Sequence, residues 1–172
     1  MINDILDLSK IESDTIKINT DPVFIDQLMV EIYRITSMRM PDGVKLVVET
    51  PRSDLWLNTD KSRLLQIMNN LLNNAIRSTT EGQISFGYEL ESGYVKFYVK
   101  DTGVGIPEDK LESVFDRFVK LNTTQNGFGL GLTITKGLVK KMGGEVWATS
   151  QVGEGSTFYF TLPLDVVPQV VF

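Results

Sequence analysis

The stretch Gly127-Phe128-Gly129-Leu130-Gly131-Leu132-Thr133-Ile134 alternates three glycines with bulky residues and runs directly into an apolar helical pattern. Glycine adopts backbone conformations that other residues avoid, and it lets a ligand come close to the main chain. A helix start offers N–H donors without intrahelical partners, together with a partial positive charge. The stretch therefore suits a phosphate group. A glycine-rich turn or a close helix contact explains the same pattern, so the surrounding sequence has to decide.

The length of the 172-residue chain fits one domain, or one domain with a short extra piece. A net charge of −5 gives no basic footprint, which argues against nucleic acid as a partner. The absence of cysteine excludes a disulfide framework and a thiolate metal site. No apolar run approaches the ~20 residues of a membrane helix, and no signal peptide is visible. The chain also lacks histidine, so a mechanism that needs a histidine phosphoacceptor cannot be completed within it.

Apolar periodicity predicts the elements of the first half of the chain. They are a helix over Met1–Glu12, a strand over Thr15–Asn19, a helix over Asp21–Met40, strands over Val44–Glu49 and Leu55–Leu57, and a helix over Asp60–Ser78. We start the second helix at Asp21 because Pro22 suits a first helical turn. Its predicted buried stripe is Leu28, Ile32, Ile35 and Met38. Thr59 or Asp60 is predicted to cap the third helix.

The second half alternates strands and helices without a regular order. The predicted elements are a hairpin of Gln83–Leu90 and Tyr94–Lys100, short helices over Glu108–Leu111 and Ser113–Phe118, a helix over Leu130–Met142, and strands over Glu145–Ser150 and Thr157–Leu162. The polar stretch Leu121–Gly127 has no periodicity and is predicted to be a mobile loop. This order of elements predicts a mixed sheet that is covered on one face by helices.

The predicted helix Asp60–Ser78 carries four asparagines, at positions 69, 70, 73 and 74, although asparagine is a mediocre helix former. Asn70, Asn74 and Arg77 fall in one narrow arc together with Arg63. Neutral amide oxygens suit Mg²⁺, which takes few protein ligands when it is bound to phosphates. Arg77 suits those phosphates. The alternative is a solvated polar face.

Two further stretches suit a nucleotide. Asp101-Thr102-Gly103-Val104-Gly105-Ile106-Pro107 follows a predicted strand, and a carboxylate at a strand end accepts a hydrogen bond from an exocyclic amine while a flat ring lies on the glycines. An Asp-initiated turn is the alternative. In Phe115-Asp116-Arg117-Phe118 the phenylalanines are most simply core residues, while Arg117 or Lys120 reaches a nucleotide if the following loop closes.

Taken in this order, the motifs resemble the ATP-binding domain of sensor histidine kinases. The matching stretches are 63–75, Asp101–Pro107, Phe115–Phe118, Gly127–Leu132 and Gly153–Phe158, and the resemblance covers Thr15–Pro163. It implies an α+β fold, a two-layer α/β sandwich called the Bergerat fold. The expected sheet is mixed and mainly antiparallel with about five strands, about three helices cover one face, and a mobile lid covers ATP.

The N-terminal stretch Ile2–Ser13 resembles the end of the second helix of a histidine kinase dimerisation domain. The resemblance therefore implies three parts of the chain. Residues 1–14 would be the C-terminal stump of the dimerisation helix, residues 15–163 the ATP-binding catalytic domain, and residues 164–172 a linker or tail. The phosphoacceptor histidine of the family would lie upstream of this chain.

The resemblance also implies ATP and Mg²⁺ as cofactors, and it assigns roles to individual residues. Asn74 would bind Mg²⁺, Asp101 would accept a hydrogen bond from the adenine amine, and Asn70, Arg77 and Lys120 would act in catalysis beside the phosphates. The other implied ATP-binding residues are Gly103, Gly105, Ile106, Phe118, Gly127, Gly129, Leu130, Gly131, Leu132 and Ser156.

Three positions depart from the pattern of the family, and the first is Arg77, which stands where a phosphate-contacting lysine is usual. Ser78 stands where an aromatic residue is common, and Phe128 where a smaller residue is usual. Related ATPases of this fold carry a glutamate as the base for water where Asn70 stands. The lack of that glutamate argues against hydrolysis and for transfer to a histidine.

The function implied is transfer of the ATP γ-phosphate to a histidine on a dimerisation domain outside this chain. Expected partners are that domain, the receiver domain of a response regulator, and a second copy in a full-length homodimer. The resemblance places this domain in the cytoplasm of a parent that is anchored in a bacterial inner membrane only by segments outside the chain. Two alternatives remain: a nucleotide-binding regulatory module without transfer activity, and a protein serine kinase of the same fold.

Overall fold

The computed structural model describes residues 2–119 and 129–166, and their helices and strands form two layers. The helices are α1 (Ile2–Glu12), α2 (Ile25–Ser37), α3 (Lys61–Ser78), α4 (Glu108–Leu111) and α5 (Gly131–Lys141). The strands are β1 (Asp21–Phe24), β2 (Val44–Glu49), β3 (Trp56–Thr59), β4 (Gly82–Glu91), β5 (Tyr94–Asp101), β6 (Val146–Gln151) and β7 (Gly155–Pro163). None of these helices is long and apolar enough to cross a membrane.

The larger sheet has five strands in the order β2-β4-β5-β7-β6. Only β2 and β4 run parallel, and the other three pairs are antiparallel. Alternate residues of its central strands point into the core, where Phe97 of β5 stacks on Phe160 of β7 with ring centroids 4.8 Å apart. The prediction of a mixed, mainly antiparallel sheet of about five strands is confirmed.

The helix layer is built around α3, which lies between α2 and α5. Its apolar side is fully buried through Leu64, Ile67, Met68, Leu71, Leu72 and Ala75. Asp60 caps the helix, because one carboxylate oxygen accepts the Arg63 N–H at 3.1 Å. The other oxygen accepts the Asn19 N–H at 2.8 Å and so ties the preceding chain to this helix start.

The predicted start of the second helix is wrong. Asp21–Phe24 forms a strand that pairs antiparallel with Trp56–Thr59 in a separate two-stranded sheet, and α2 begins only at Ile25. Proline has a fixed φ and no N–H, properties that suit the edge of a sheet as well as a first helical turn. The pairing with a strand more than thirty residues away decides between the two, and Phe24 stacks on Trp56 at 5.3 Å.

The buried stripe of α2 also differs from the predicted one. Leu28 and Ile32 are buried as predicted, but Ile35 is 46% and Met38 is 85% exposed. The observed stripe is Ile25, Leu28, Met29, Ile32 and Thr36. The helix ends at Ser37, before the predicted Met40.

Two shorter predictions also differ from the structure. Thr15–Asn19 forms no strand, although Ile16 is buried, so that prediction is wrong. The helical piece predicted over Ser113–Phe118 is a 3-10 helix over Glu112–Phe115, which directly follows α4 and ends three residues earlier than predicted. Short runs with few apolar residues carry little periodicity, so local sequence does not separate these states.

The N-terminal helix α1 packs on the helix layer through its last two turns. Leu8 is buried, and Ile11 lies against Gly137 of α5. Asp7 accepts hydrogen bonds from Arg63 at 3.2 Å and from Gln66 at 2.8 Å, both on α3. An 11-residue helix is marginal alone, so these contacts explain why it is formed.

Gly137→Ala is expected to loosen α1, since an added Cβ would lie 2.5 Å from the Cγ2 methyl of Ile11. We expect amide exchange in α1 to become about tenfold faster, in line with the ~1–3 kcal/mol that overpacking costs. Hydrogen exchange followed by mass spectrometry measures this. The double variant Gly137→Ala/Ile11→Ala serves as the control, because removal of the isoleucine branch opens the space again. Unchanged protection of α1 in the single variant would contradict this account of the packing.

The chain after β7 returns to β3. Asn58 donates through its backbone N–H to the Asp165 carbonyl at 2.8 Å and through its side chain to the Asp165 carboxylate at 3.1 Å. Leu57 and Val166 form an antiparallel bridge. The first residues of the predicted linker 164–172 thus lie along β3, and residues 167–172 lie outside the described residues.

Candidate functional site

The four asparagines of α3 divide into two pairs with different partners. Arg39, just past α2, donates to the side-chain oxygens of Asn73 at 2.7 Å and Asn69 at 3.2 Å. Burial lowers the pKa of Arg39. Asn69 and Asn73 therefore join α3 to the end of α2. This structural role explains two of the four asparagines, and no bound ligand is needed to explain them.

Asn70 joins α3 to the start of α5. Its Nδ2 donates to the Gly131 carbonyl at 3.1 Å and lies 3.3 Å from the Thr135 Oγ1, which itself donates to Gly131 at 2.8 Å. The glycine-rich stretch and the asparagine face, which are distant in sequence, are thereby brought together. The N-terminus of α5 lies beside the polar arc of α3.

Asn74 and Arg77 continue this arc with free side chains. Asn74 is half-buried and Arg77 is exposed, and neither makes a side-chain hydrogen bond or ion pair within residues 2–119 and 129–166. Arg63, the fourth member of the predicted arc, is bound instead by Asp7 of α1. The same described part of the chain contains no cluster of acidic residues that would hold a metal by itself. A cation here would need a ligand that brings its own oxygens.

Asp101 ends β5 with a buried carboxyl group that is 4% exposed. Burial raises its pKa, and the Gly103 N–H, at 2.8 Å, partly offsets that shift. The backbone N–H of Ser156 and the hydroxyl of Ser78 act on the carboxyl in the same direction as Gly103. A buried carboxyl with an incomplete set of donors is suited to accept a hydrogen bond from a ligand.

Glycine is required at two positions of the loop that follows Asp101. A Cβ on Gly103 would lie 2.2 Å from the Ser78 carbonyl, and one on Gly105 would lie 2.2 Å from the Gln151 carbonyl. Gly105 also has a φ of +74°, which favours glycine. The loop is therefore pressed between the end of α3 and the end of β6, and it leads to the buried Ile106.

Sequence reasoning missed Ser150, which holds this loop in place. The Ser150 Oγ accepts the Ile106 N–H at 2.7 Å and donates to the Gly155 carbonyl at 2.9 Å. It also lies 2.8 Å from the Oγ of Ser156, one of the predicted site residues. A single serine in a predicted strand gives no local signal of such contacts.

The two phenylalanines before the polar loop differ. Phe115 is buried and meets Phe158 edge to face at 6.0 Å, as expected of a core residue. Phe118 is 61% exposed with a φ of +62°, so the interpretation of both rings as core is wrong for Phe118. Arg117 lies over the Phe118 ring at 5.3 Å and pairs with Glu12 of α1 at 2.8 Å. This ion pair directs Arg117 towards α1.

The opening glycine stretch is described from Gly129 onward. Gly129 has a φ of +69°, and an added Cβ would lie 2.8 Å from the Val119 carbonyl. Leu130 precedes α5 without a side-chain cap, and both Leu130 and Leu132 are buried. Uncapped N–H groups at a helix start are donors for an anion. Lys120, Gly127, Phe128 and most of the predicted mobile lid lie outside the described residues.

A concavity of about 430 Å³ lies on the face of the large sheet that is opposite the helices. It is lined by Glu49, Gln83, Ser85, Glu89, Tyr98, Lys100, Thr102, Thr157 and Tyr159. These residues do not include the asparagine arc, the Asp101 carboxyl or the start of α5. The predicted site residues that the structure describes therefore lie outside this concavity.

A family model described as histidine kinase-, DNA gyrase B-, and HSP90-like ATPase matches residues 59–166. The sensor histidine kinase WalK of Bacillus subtilis is 34% identical over 170 residues, and the autoinducer 2 sensor kinase/phosphatase LuxQ of Vibrio vulnificus is 39% identical over 178 residues. The alignments cover 95% and 96% of this chain. The chain spans only 28% and 21% of the length of these relatives.

Solved structures agree with these relatives. Full-length ShkA in complex with AMPPNP superposes with a TM-score of 0.86 at 29% identity, over 98% of this chain and 36% of ShkA. The catalytic domain of histidine kinase ThkA superposes with a TM-score of 0.76 at 28% identity, over 85% of this chain and 96% of that domain. The two-layer architecture with its five-stranded mixed sheet is thus that of histidine kinase catalytic domains.

Proposed function

The chain belongs to the family of histidine kinase-, DNA gyrase B-, and HSP90-like ATPases, and from this premise we propose a specific activity. The domain binds Mg²⁺ and ATP and presents the γ-phosphate to a histidine on a dimerisation domain outside this chain. Membership of this family implies that the domain binds ATP. The metal, the acceptor and the roles of individual residues are the proposed part.

The observation that carries the proposal is the junction of α3 and α5 at Asn70. Its bonds to Gly131 and Thr135 hold the free Asn74 amide and the uncapped start of α5 on the same side of the domain. Helix N-termini and amide oxygens favour phosphates and a phosphate-bound cation respectively. No other cluster of predicted site residues in the described part of the chain combines these two features.

Asn74 is the protein ligand proposed for Mg²⁺, with phosphate oxygens and water completing its coordination. The fit rests on the free amide of Asn74, since Mg²⁺ takes few protein ligands when it is bound by phosphates. Arg77, exposed beside it, contacts the phosphates and neutralises charge. Lys120 and Gly127 keep their predicted roles as proposals outside the described residues.

Asp101 accepts the hydrogen bond of the adenine amine at the other end of the site. The ring lies against the loop that Gly103 allows to approach the end of α3 and Gly105 the end of β6, with Ile106 and Ser156 beside it. The buried carboxyl gains a donor that the protein alone does not supply. This gain favours ATP over a nucleotide without the amine.

The site favours transfer over hydrolysis because the position beside the phosphates holds Asn70. An amide has no basic lone pair that would take a proton from water. Catalysis in this domain then consists of positioning and charge neutralisation, and the base for the attacking histidine comes from the acceptor domain.

The partners proposed for the parent are its own dimerisation domain, a second copy of the parent and a receiver domain. The relatives are sensor kinases, and the lack of histidine in this chain requires an external acceptor for phosphohistidine chemistry. A cytoplasmic position of the domain, in a parent anchored in a bacterial inner membrane, is part of the same proposal.

The test combines this chain with a histidine-bearing dimerisation domain and ATP labelled at the γ-phosphate. We expect label to appear on the acceptor, to be lost in acid and to be absent when the acceptor histidine is replaced by alanine. Nucleotide binding without transfer would support the regulatory module instead. Acid-stable label on a serine of a partner would support the serine kinase.

A further inference from the structure

Ser150 is separated from Asp101 in the sheet by a single residue, Ser156. It stands on β6 directly opposite Ser156 of β7 in the strand register. Its Oγ meets three groups: the Ile106 N–H at 2.7 Å, the Gly155 carbonyl at 2.9 Å and the Ser156 hydroxyl at 2.8 Å. None of the sequence motifs assigns a role to this residue.

The proton count fixes the direction of the bond between the two hydroxyls. A serine hydroxyl has one proton and two acceptor lone pairs. Ser150 gives its proton to the carbonyl of Gly155, which only accepts, so the other bond runs from Ser156 to Ser150. The Ser150 oxygen then accepts twice and donates once, which fills its capacity. The Ser156 hydroxyl then has no further proton, and its oxygen can only accept hydrogen bonds from other groups.

We propose that Ser150 is a positioning residue for base selectivity, which acts by holding the Ser156 hydroxyl as an acceptor beside Asp101. The inference rests on the proposed function, because it requires the base to lie at Asp101. Asp101 and Ser156 are directly opposite each other in the register of β5 and β7. A base that reaches the carboxyl therefore also meets the Ser156 oxygen.

Two adjacent acceptors, the Asp101 carboxyl and the Ser156 hydroxyl oxygen, distinguish purines by the group at C6. An amine donates to them, whereas a carbonyl oxygen faces other acceptors with no proton between them. Sites built to hydrogen-bond one group reject an analogue that lacks it, because buried polar groups are left unpaired. This pair of acceptors thus selects adenosine triphosphate over inosine triphosphate, its 6-oxo analogue.

Replacing Ser150 by alanine separates selectivity from simple support of the loop. Without its acceptor, the Ser156 hydroxyl is free to rotate and to donate to a 6-oxo group. The Ile106 N–H also loses its partner, which weakens the loop for both nucleotides. A purely structural role would lower both affinities in the same proportion, whereas the proposed role changes their ratio.

The experiment measures the dissociation constants of Mg·ATP and Mg·ITP with the 172-residue chain by calorimetry. For Ser150→Ala we expect the preference for ATP to fall about tenfold, the size expected for one misdirected buried hydrogen bond. Ser150→Thr keeps a hydroxyl and is expected to keep the preference. Ser85→Ala, at a buried serine on the helix-free face, is the matched control and is expected to bind as the wild type does.

An unchanged ATP to ITP ratio in Ser150→Ala, with the wild type showing a clear preference for ATP, would overturn this inference and leave the proposed function intact. If the wild type binds neither nucleotide, both fail. Should Ser150→Ala not fold, Ser156→Ala removes the acceptor itself and is expected to lose the preference in the same way. A full preference in that variant would also overturn the inference.

Discussion

Asn74→Ala is expected to weaken Mg²⁺-dependent binding of ATP by about 100-fold, since even residues that only orient metal ligands are worth 10–100-fold in metal affinity. Asn74 is the half-buried amide on the arc that faces the start of α5, and it has no partner among the described residues. Replacing this side chain therefore breaks no hydrogen bond or ion pair among the described residues. Calorimetry with and without Mg²⁺ measures the effect, and the residual binding is expected to be independent of the metal.

Asn73→Ala is the matched control, because it removes the same side chain one position earlier. Asn73 accepts a hydrogen bond from Arg39 and faces α2, not α5. We expect its loss to cost about 1 kcal/mol of stability, the usual contribution of one hydrogen bond, while ATP binding stays within about twofold. Equal losses of binding in the two variants would mean that the asparagine face acts only through the stability of α3.

Asp101→Asn is expected to lower ATP affinity by about 10- to 100-fold, since a hydrogen bond to a charged group contributes ~1.5–3 kcal/mol. The amide oxygen still accepts the Gly103 N–H, so the loop keeps its shape. The amide nitrogen, however, replaces an acceptor with a donor that opposes the adenine amine. Affinity measured for ATP and the thermal midpoint of the free domain give the two readouts.

The same substitution is expected to change how the thermal midpoint of the free domain depends on pH. Burial raises the pKa of Asp101 above its unfolded value, so folding favours the protonated form. The contribution of this group to stability is full below the unfolded pKa and is lost as the pH rises through the folded pKa. Asparagine is neutral throughout, so the midpoint of the variant relative to that of the wild type is expected to be higher at pH 7 than in acid, while the clash of its nitrogen with the Ser156 and Ser78 donors is the same at every pH. A difference in midpoint that does not change with pH would contradict this account.

ATP binding itself should follow the opposite direction in pH. Protonation of Asp101 removes the acceptor for the adenine amine, so affinity is expected to fall as the pH drops through the raised pKa of this carboxyl. Asp101→Asn is expected to lack that dependence. Titrations at several pH values separate the two chains, and parallel pH profiles would exclude Asp101 as the group responsible.

Long periodic segments were predictable from the sequence because their burial pattern is local. The helix Lys61–Ser78 and the hairpin of β4 and β5 follow from spacing and turn chemistry alone, and the structure selects Asp60 from the two predicted caps, Thr59 and Asp60. Asp21–Phe24 was not predictable, since Pro22 suits both a helix start and an edge strand. Its partner β3 becomes apparent only in three dimensions. The predicted buried stripe of α2 also included Ile35 and Met38, which the structure shows to be exposed.

The site shows the same division. Motif order brought Asn70, Asn74 and Asp101 into one hypothesis, and the structure places Asn70 within hydrogen-bond distance of Gly131, while the roles of these residues stay a prediction. The sequence gives no means to tell the Asn69 and Asn73 pair from the other asparagines, because Arg39 belongs to another helix. Ser150 is a further residue whose contacts exist only across strands.

The most direct test of the central claim locates the nucleotide by nuclear magnetic resonance. On addition of Mg·ATP to the ¹⁵N-labelled chain, we predict that the amide shifts lie in the arc 70–78, the loop 101–106, residues 118–132 up to the start of α5, and Ser156. Amides of the helix-free face, around Ser85 and Lys100, are predicted to stay unchanged. Shifts that cluster on that face, or no shifts at saturating nucleotide, would contradict a site between α3, α5 and Asp101.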